Sequence, residues 1–190
     1  MSAHFLKLVA LGTSLIDTPF WTNELQTQLA KCVGAEVGVQ RIAKSGATSR
    51  WGLEQKEQVV LAKPDVLLIE FAANDANVQR FVSVSESERN HAEIIRTVHQ
   101  AKPDVQIYLL ALNPTWGLRG LWIRPRLNSY YEIYHALAKP LGIGFIDVRP
   151  KWDRAAIQST VPDGLHPTTQ AMEEIAAPYI AEVVCGGLKR

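Results

Sequence analysis

Five short apolar runs, at residues 6–11, 37–43, 66–71, 105–112 and 143–148, constrain this chain more than any other feature. Each has the length of a β-strand, and most are nearly continuous rather than alternating in polarity. A strand with one wet face alternates, whereas a strand covered on both faces does not, so these runs belong in a parallel sheet between two layers. Segments of helical period separate them. Trp21, Leu25 and Leu29 recur every four residues behind a Thr18 cap, with Pro19 at the first helical position. Ser85 and Glu88 have capping-box spacing ahead of Ile95 and Val98. Tyr130, Ile133, Tyr134 and Leu137 form another stripe. Met172, Ile175, Tyr179 and Val183 form the last, with Pro178 expected to kink or split that helix. Lys63-Pro64-Asp65 and Lys102-Pro103-Asp104 stand before two of the runs as turns that stop a helix and launch a strand. This alternation predicts an α/β fold, a three-layer α/β/α sandwich around a five-stranded parallel sheet.

At 190 residues and 47% hydrophobic content the chain can bury one sizeable core, and a single domain over residues 1–190 is expected. Lys and Arg number 20 against 19 Asp and Glu, a balance that gives no reason to expect nucleic acid or an acidic membrane as the main partner. The apolar stretch at residues 5–11 is too short to span a membrane, and no small-residue cleavage site follows it. A cytoplasmic, soluble protein is expected; the sequence does not specify an oligomeric state. Cys32 and Cys185 are far apart and have no metal-ligand spacing; buried free thiols are the expected state, with a disulfide as the alternative. His91 and His99 are eight apart, too far for a helical metal pair, and His4 and His135 have no companions, so neither metal nor cofactor is expected.

Ligands of an open parallel sheet bind beyond the carboxyl ends of its strands. Gly12-Thr13-Ser14-Leu15 follows the first run, Lys44-Ser45-Gly46-Ala47-Thr48 the second and Ala72-Ala73-Asn74-Asp75 the third. Asp163-Gly164-Leu165-His166-Pro167 lies downstream of the fifth. Taken singly, each is an ordinary turn residue: Ser14 a cap, Gly46 a positive-φ position, Asp163 the start of a turn, with Asp75 holding the loop that carries Asn74. Together they place a hydroxyl, a glycine backbone, a carboxamide, a carboxylate and an imidazole on one edge. That is the set acyl transfer requires.

In this order, Gly-x-Ser-Leu, an isolated Gly, Asn-Asp and Asp-x-x-His-Pro resemble the SGNH (GDSL-type) hydrolase superfamily, from Gly12 to Pro167. The resemblance implies the flavodoxin-like SGNH fold, with Ser14 as nucleophile, His166 as general base and Asp163 as its orienting carboxylate. It also implies an oxyanion hole made by the backbone N–H groups of Ser14 and Gly46 and the side-chain amide of Asn74. The family usually carries Asp where this chain has Thr13, and Gly where it has Ala72. Both departures bear on substrate more than on reaction.

No Gly-x-Ser-x-Gly elbow, Walker A loop or Gly-x-Gly-x-x-Gly is present, and residues 12–14 lack the acidic pair of a receiver domain. Residues 113–126, after the fourth run, carry Trp116, Arg119, Trp122 and Arg124 among their two tryptophans and three arginines. A loop of this length at the site edge reads either as a substrate rim or as packing. The expectation is a serine esterase that cleaves a short-chain, acetyl-type ester on a small molecule or saccharide. A lipid-ester hydrolase or thioesterase is the enzyme alternative, and a non-catalytic ligand-binding domain the alternative from another class.

Overall fold

The computed structural model describes residues 5–189, so His4 lies outside the described residues. The apolar runs form strands β1 (Leu6–Gly12), β2 (Val37–Ala43), β3 (Val66–Glu70), β4 (Gln106–Ala111) and β5 (Gly144–Asp147). All pair in parallel, in the order β2-β1-β3-β4-β5. This is the doubly wound arrangement expected from the sequence, with its switch point beside β1.

Alternate side chains of each central strand serve opposite layers. Leu8, Ala10, Leu68 and Leu110 face helices α2 (Pro19–Val33) and α10 (Ala177–Leu188), where Trp21, Leu25, Leu29, Ile180 and Val184 are buried. Val9, Leu11, Leu67, Ile69 and Leu109 face α4 (Lys56–Ala62), α6 (Val84–Ala101) and α7 (Leu127–Leu141), which bury Val59, Ile95, Val98 and the Tyr130–Leu137 stripe. Every residue of β3 is buried, which explains why its sequence shows no alternation. Each large apolar side chain taken fully out of water here contributes about 1.5–3 kcal/mol.

Three local expectations shift. Helix α6 starts two residues early: Ser83, not Ser85, is the cap, and its Oγ accepts from Glu86 N–H at 3.1 Å. Ser-x-x-Glu occurs at both positions, and the tertiary ion pair of Glu86 with Arg50, at 2.5 Å, favours the first. Pro178 does split the last helix. After the short helices α8 (Ile157–Thr160) and α9 (Thr169–Ala171), a π-helical turn at Met172–Ala176 precedes α10, absorbing the residue whose ring would otherwise strike the carbonyl four back. That extra residue rotates the following helix by about 100°. Its buried face is therefore Ile180, Val184 and Cys185 rather than Tyr179 and Val183, which are only partly buried.

The third correction concerns the cysteines. Cys32 of α2 and Cys185 of α10 are joined as a disulfide, with Cα atoms 6.3 Å apart. It clips together the two helices that cover one face of the sheet. Its partners are 153 residues apart, and in the chain-entropy picture a loop of that length restrains the unfolded state by roughly 5 kcal/mol. The double variant Cys32→Ala/Cys185→Ala is therefore expected to lose about 2–5 kcal/mol of stability, read from urea unfolding. Coincident midpoints for the variant and the oxidised chain would show that the bridge does not contribute. Among the described residues no helix is long and apolar enough to cross a membrane.

Candidate active site

The site begins where β1 ends. A side chain at Gly12 would lie 2.5 Å from Ile16 Cγ1 and 2.8 Å from the Glu70 carbonyl oxygen, so only glycine lets the chain turn here. Thr13 then caps the short helix α1 (Ser14–Asp17), its Oγ1 accepting from Leu15 N–H at 3.3 Å. Ser14 thus occupies the first helical position. Its Oγ lies 3.0 Å from His166 Nε2.

Asp-x-x-His spacing works through a turn closed by the carboxylate itself. Asp163 Oδ1 accepts from Leu165 N–H at 2.9 Å and from His166 N–H at 2.7 Å, while Oδ2 lies 2.8 Å from His166 Nδ1. Partial burial pushes the carboxyl pKa up, but the hydrogen bonds from the His166 ring and from the two backbone amides outweigh it. The net effect holds Asp163 well below the ordinary carboxylate range. An ionised Asp163 keeps the proton on Nδ1 and leaves Nε2 as the acceptor facing Ser14.

Asn74 and Gly46 lie on the loops that flank β1. Gly46 has φ +75°, a left-handed conformation that favours glycine. Asn74, 8% exposed, donates one Nδ2 hydrogen to the Ala47 carbonyl at 2.8 Å, which joins the two loops and leaves its second amide hydrogen for another acceptor. The short helix α5 (Ala72–Asp75) that carries Asn74 is pinned from below. Asp75 Oδ1 accepts from Ser49 N–H at 2.8 Å, at the start of α3 (Ser49–Glu54), and Oδ2 accepts from Ser87 Oγ at 2.6 Å. Tyr134 Oη accepts from Phe71 N–H and Ala72 N–H at 3.1 and 3.0 Å. Its own hydrogen then goes to His91 Nε2 at 3.2 Å, and His91 Nδ1–H donates to the Ser87 carbonyl at 2.7 Å. Burial pushes the His91 pKa down, so this ring stays neutral, as the chain of donors requires.

The GDSL-like lipase/acylhydrolase family profile matches residues 10–173. The chain belongs to this family. GDSL-like lipase/acylhydrolases act on ester bonds, and the chain is an ester hydrolase of that kind. Solved structures share the fold at low identity. A lipase/acylhydrolase from Enterococcus faecalis is 22% identical, with a TM-score of 0.80 over 95% of this chain and 96% of that one. A catalytic variant of Axe2, an acetylxylan esterase from Geobacillus stearothermophilus, is 18% identical, with a TM-score of 0.76 over 93% of each chain. LAE5, an alpha/beta hydrolase from the metagenome of Lake Arreo, Spain, is 21% identical, with a TM-score of 0.77 over 96% of this chain and 95% of that one. No curated protein sequence is a significant match.

Where GDSL-like enzymes usually place Asp, this chain has Thr13, whose hydroxyl donates to Glu70 Oε2 at 2.5 Å. Glu70, the last residue of β3, is 2% exposed, and sequence reasoning did not single it out. Its one signal is an acid within the otherwise apolar run 66–71, and its partner is visible only once β1 and β3 are paired. Burial pushes its pKa up to about 7, with the Thr13 hydrogen bond opposing. The stability contributed by this raised pKa is full below the ordinary value near 4.5 and is lost as pH rises through about 7, a loss on the order of 3 kcal/mol. Glu70→Gln should remove that slope. In urea unfolding, wild type should lose more stability than the variant between pH 5 and pH 8, and parallel curves would refute the titration.

The long loop after β4 holds a π-helical turn at Leu118–Trp122. Trp116 is half-buried against the core and donates Nε1–H to the Val161 carbonyl at 2.7 Å. Arg119 Nη1 donates to Asp163 Oδ2 at 2.7 Å, so a residue expected on the substrate rim contacts the carboxylate beside His166. Trp122 is 78% exposed. Arg124 is buried, donating Nε–H to the Ala73 carbonyl and Nη1–H to the Arg119 carbonyl, and it ties the Asn74 loop to the long loop after β4. Beside Ser14 and His166 lies a cavity of about 40 Å³ whose walls include Leu15, Trp21 and Met172.

Proposed function

We propose that the protein is a serine esterase that removes a short acyl group, acetyl by preference, from a saccharide or other small alcohol through an acyl-enzyme on Ser14. The observation that carries this reading is the hydrogen-bonded series Ser14–His166–Asp163, at 3.0 and 2.8 Å. Serine attacks an ester only if its proton has somewhere to go. As Ser14 Oγ bonds to the carbonyl carbon, its proton passes to His166 Nε2, and the electrons of the C=O bond move onto oxygen. The N–H groups of Ser14 and Gly46 and the free Asn74 amide hydrogen would stabilise that oxyanion. His166 then protonates the departing alkoxide, and the acyl-enzyme remains. Water, deprotonated by His166, attacks the acyl-enzyme and releases the acid and free Ser14.

The cavity supports a small acyl group. About 40 Å³ beside Ser14, lined in part by Trp21 and Met172, favours acetyl over a long chain. The saccharide assignment is supported by the fold shared with an acetylxylan esterase and by the exposed Trp122 face. A series of aryl esters from acetate to octanoate tests the acyl half. kcat/KM should be highest for acetate, and an equal or higher value for octanoate would refute it. With aryl acetate, Asn74→Ala should lower kcat by about 10²–10³-fold with little change in KM, because its amide bonds best to charge present only in the transition state.

A further inference from the structure

A recess of about 700 Å³ opens on the same sheet edge as Ser14, but beyond β4 and β5, and its lining includes neither Ser14 nor His166. That volume falls within the range of small-ligand sites. Three guanidiniums line it, those of Arg124, Arg149 and Arg154, against the single carboxylate of Asp147. Asp147 is already matched: Arg149 Nε and Nη2 each lie 2.7 Å from its two oxygens, and the guanidinium rests 3.9 Å over the Tyr131 ring. Arg124 has no carboxylate in contact: burial disfavours its charge, and Asp163 and Glu70 favour it only from beyond ion-pair distance. It is 4% exposed, its hydrogen bonds go to neutral carbonyl oxygens, and it makes no ion pair among the described residues. Arg154 is exposed and likewise unpaired among the described residues.

Burying a cation with no carboxylate in contact is costly, and a ligand anion at the cavity wall would offset that cost. We propose that this recess binds a small ligand bearing an oxyanion, a carboxylate or a phosphate, held by Arg124 and Arg154. The planar guanidinium fork matches either group with two parallel hydrogen bonds. Asn113, in the same wall and 3% exposed, adds a second demand. Its Nδ2 donates to the Pro114 and Leu165 carbonyls, at 2.9 and 3.0 Å, which fixes the amide orientation and leaves Oδ1 with no partner among the described residues. That oxygen is closed off from solvent, so a ligand hydroxyl would reach it only by displacing part of the wall. The recess's volume and guanidiniums point to a hydroxylated acid of monosaccharide size.

Calorimetric titration of the intact chain with D-glucuronate, D-glucose 6-phosphate and D-glucose tests this directly. Binding needs no turnover, so its outcome is separate from that of the ester-hydrolysis assays. At least one acid should bind saturably and about tenfold more tightly than glucose, with affinity falling as salt is added; the tighter acid identifies the oxyanion. Arg154→Ala and Arg124→Lys should each weaken binding by about tenfold. Arg154 is exposed, so its variant remains informative if the buried Arg124 variant fails to fold. Equal affinity for glucose and the acids, no saturable binding of either acid up to about 20 mM, or undiminished affinity in folded Arg154→Ala would overturn the assignment.

Discussion

Replacing Ser14 with Ala is expected to lower turnover of aryl acetate by a factor on the order of 10⁴–10⁶ while leaving the fold intact. The size of the loss follows from what the hydroxyl does in the proposed chemistry. Without it there is no acyl-enzyme, and the residual rate rests on substrate binding and the oxyanion donors alone. Stability should change little. Ser14 is only part-buried, its side chain does not cap α1, and the helix start is held by Thr13 and by the fully buried Ile16. A folded Ser14→Ala protein with wild-type turnover would remove Ser14 from the mechanism. A fluorophosphonate probe should label wild type at Ser14 and leave the variant unlabelled.

Asp163→Asn should cost about 10⁴-fold in kcat on the same substrate, although the side chain keeps its shape. An Asn oxygen in the Oδ1 position still accepts from the Leu165 and His166 amides, so the turn survives. At Oδ2 an NH2 group would then face His166 Nδ1, now 2.8 Å away, and Arg119, now 2.7 Å away. Both neighbours prefer an acceptor at that point. The imidazole relieves the clash by moving its proton to Nε2, and that atom can no longer take the Ser14 proton. Arg119 meanwhile loses its counter-charge. A loss of less than about tenfold in a folded Asp163→Asn protein would mean that His166 is oriented by something other than this carboxylate.

The fold was legible in the sequence because its strongest signals are local. A continuous apolar run of strand length, repeated five times between helical stripes, admits few arrangements besides a parallel sheet covered on both faces. The same holds for Asp163 and His166. Three residues of separation and a carboxylate that closes its own turn bring imidazole and carboxylate together with little help from the rest of the chain. Capping was less legible. Two Ser-x-x-Glu boxes stand two residues apart in one segment, and a partner 36 residues away favours the first.

Helix phase, charge matching and thiol pairing were decided by tertiary structure. One residue absorbed in the π turn before Pro178 sets which side of α10 meets the sheet, and with it whether Cys185 meets Cys32. The one signal at Glu70, an acid in an apolar run, pointed the wrong way, since an acid at a strand end is usually solvated. Burial in the folded chain pushes the Glu70 pKa up to about 7, and the Thr13 hydroxyl that β1 lays against it opposes the rise. In the sequence Arg119 and Arg124 both read either as substrate-rim cations or as part of a packing loop. Packing sends one to Asp163 and buries the other with no carboxylate in contact, a distinction set by neighbours 44 and 51 residues distant. Periodicity and spacing report what a residue does to its own turn or strand. Desolvation and ion pairing depend on which distant groups share its surroundings, and those exist only once the chain has folded.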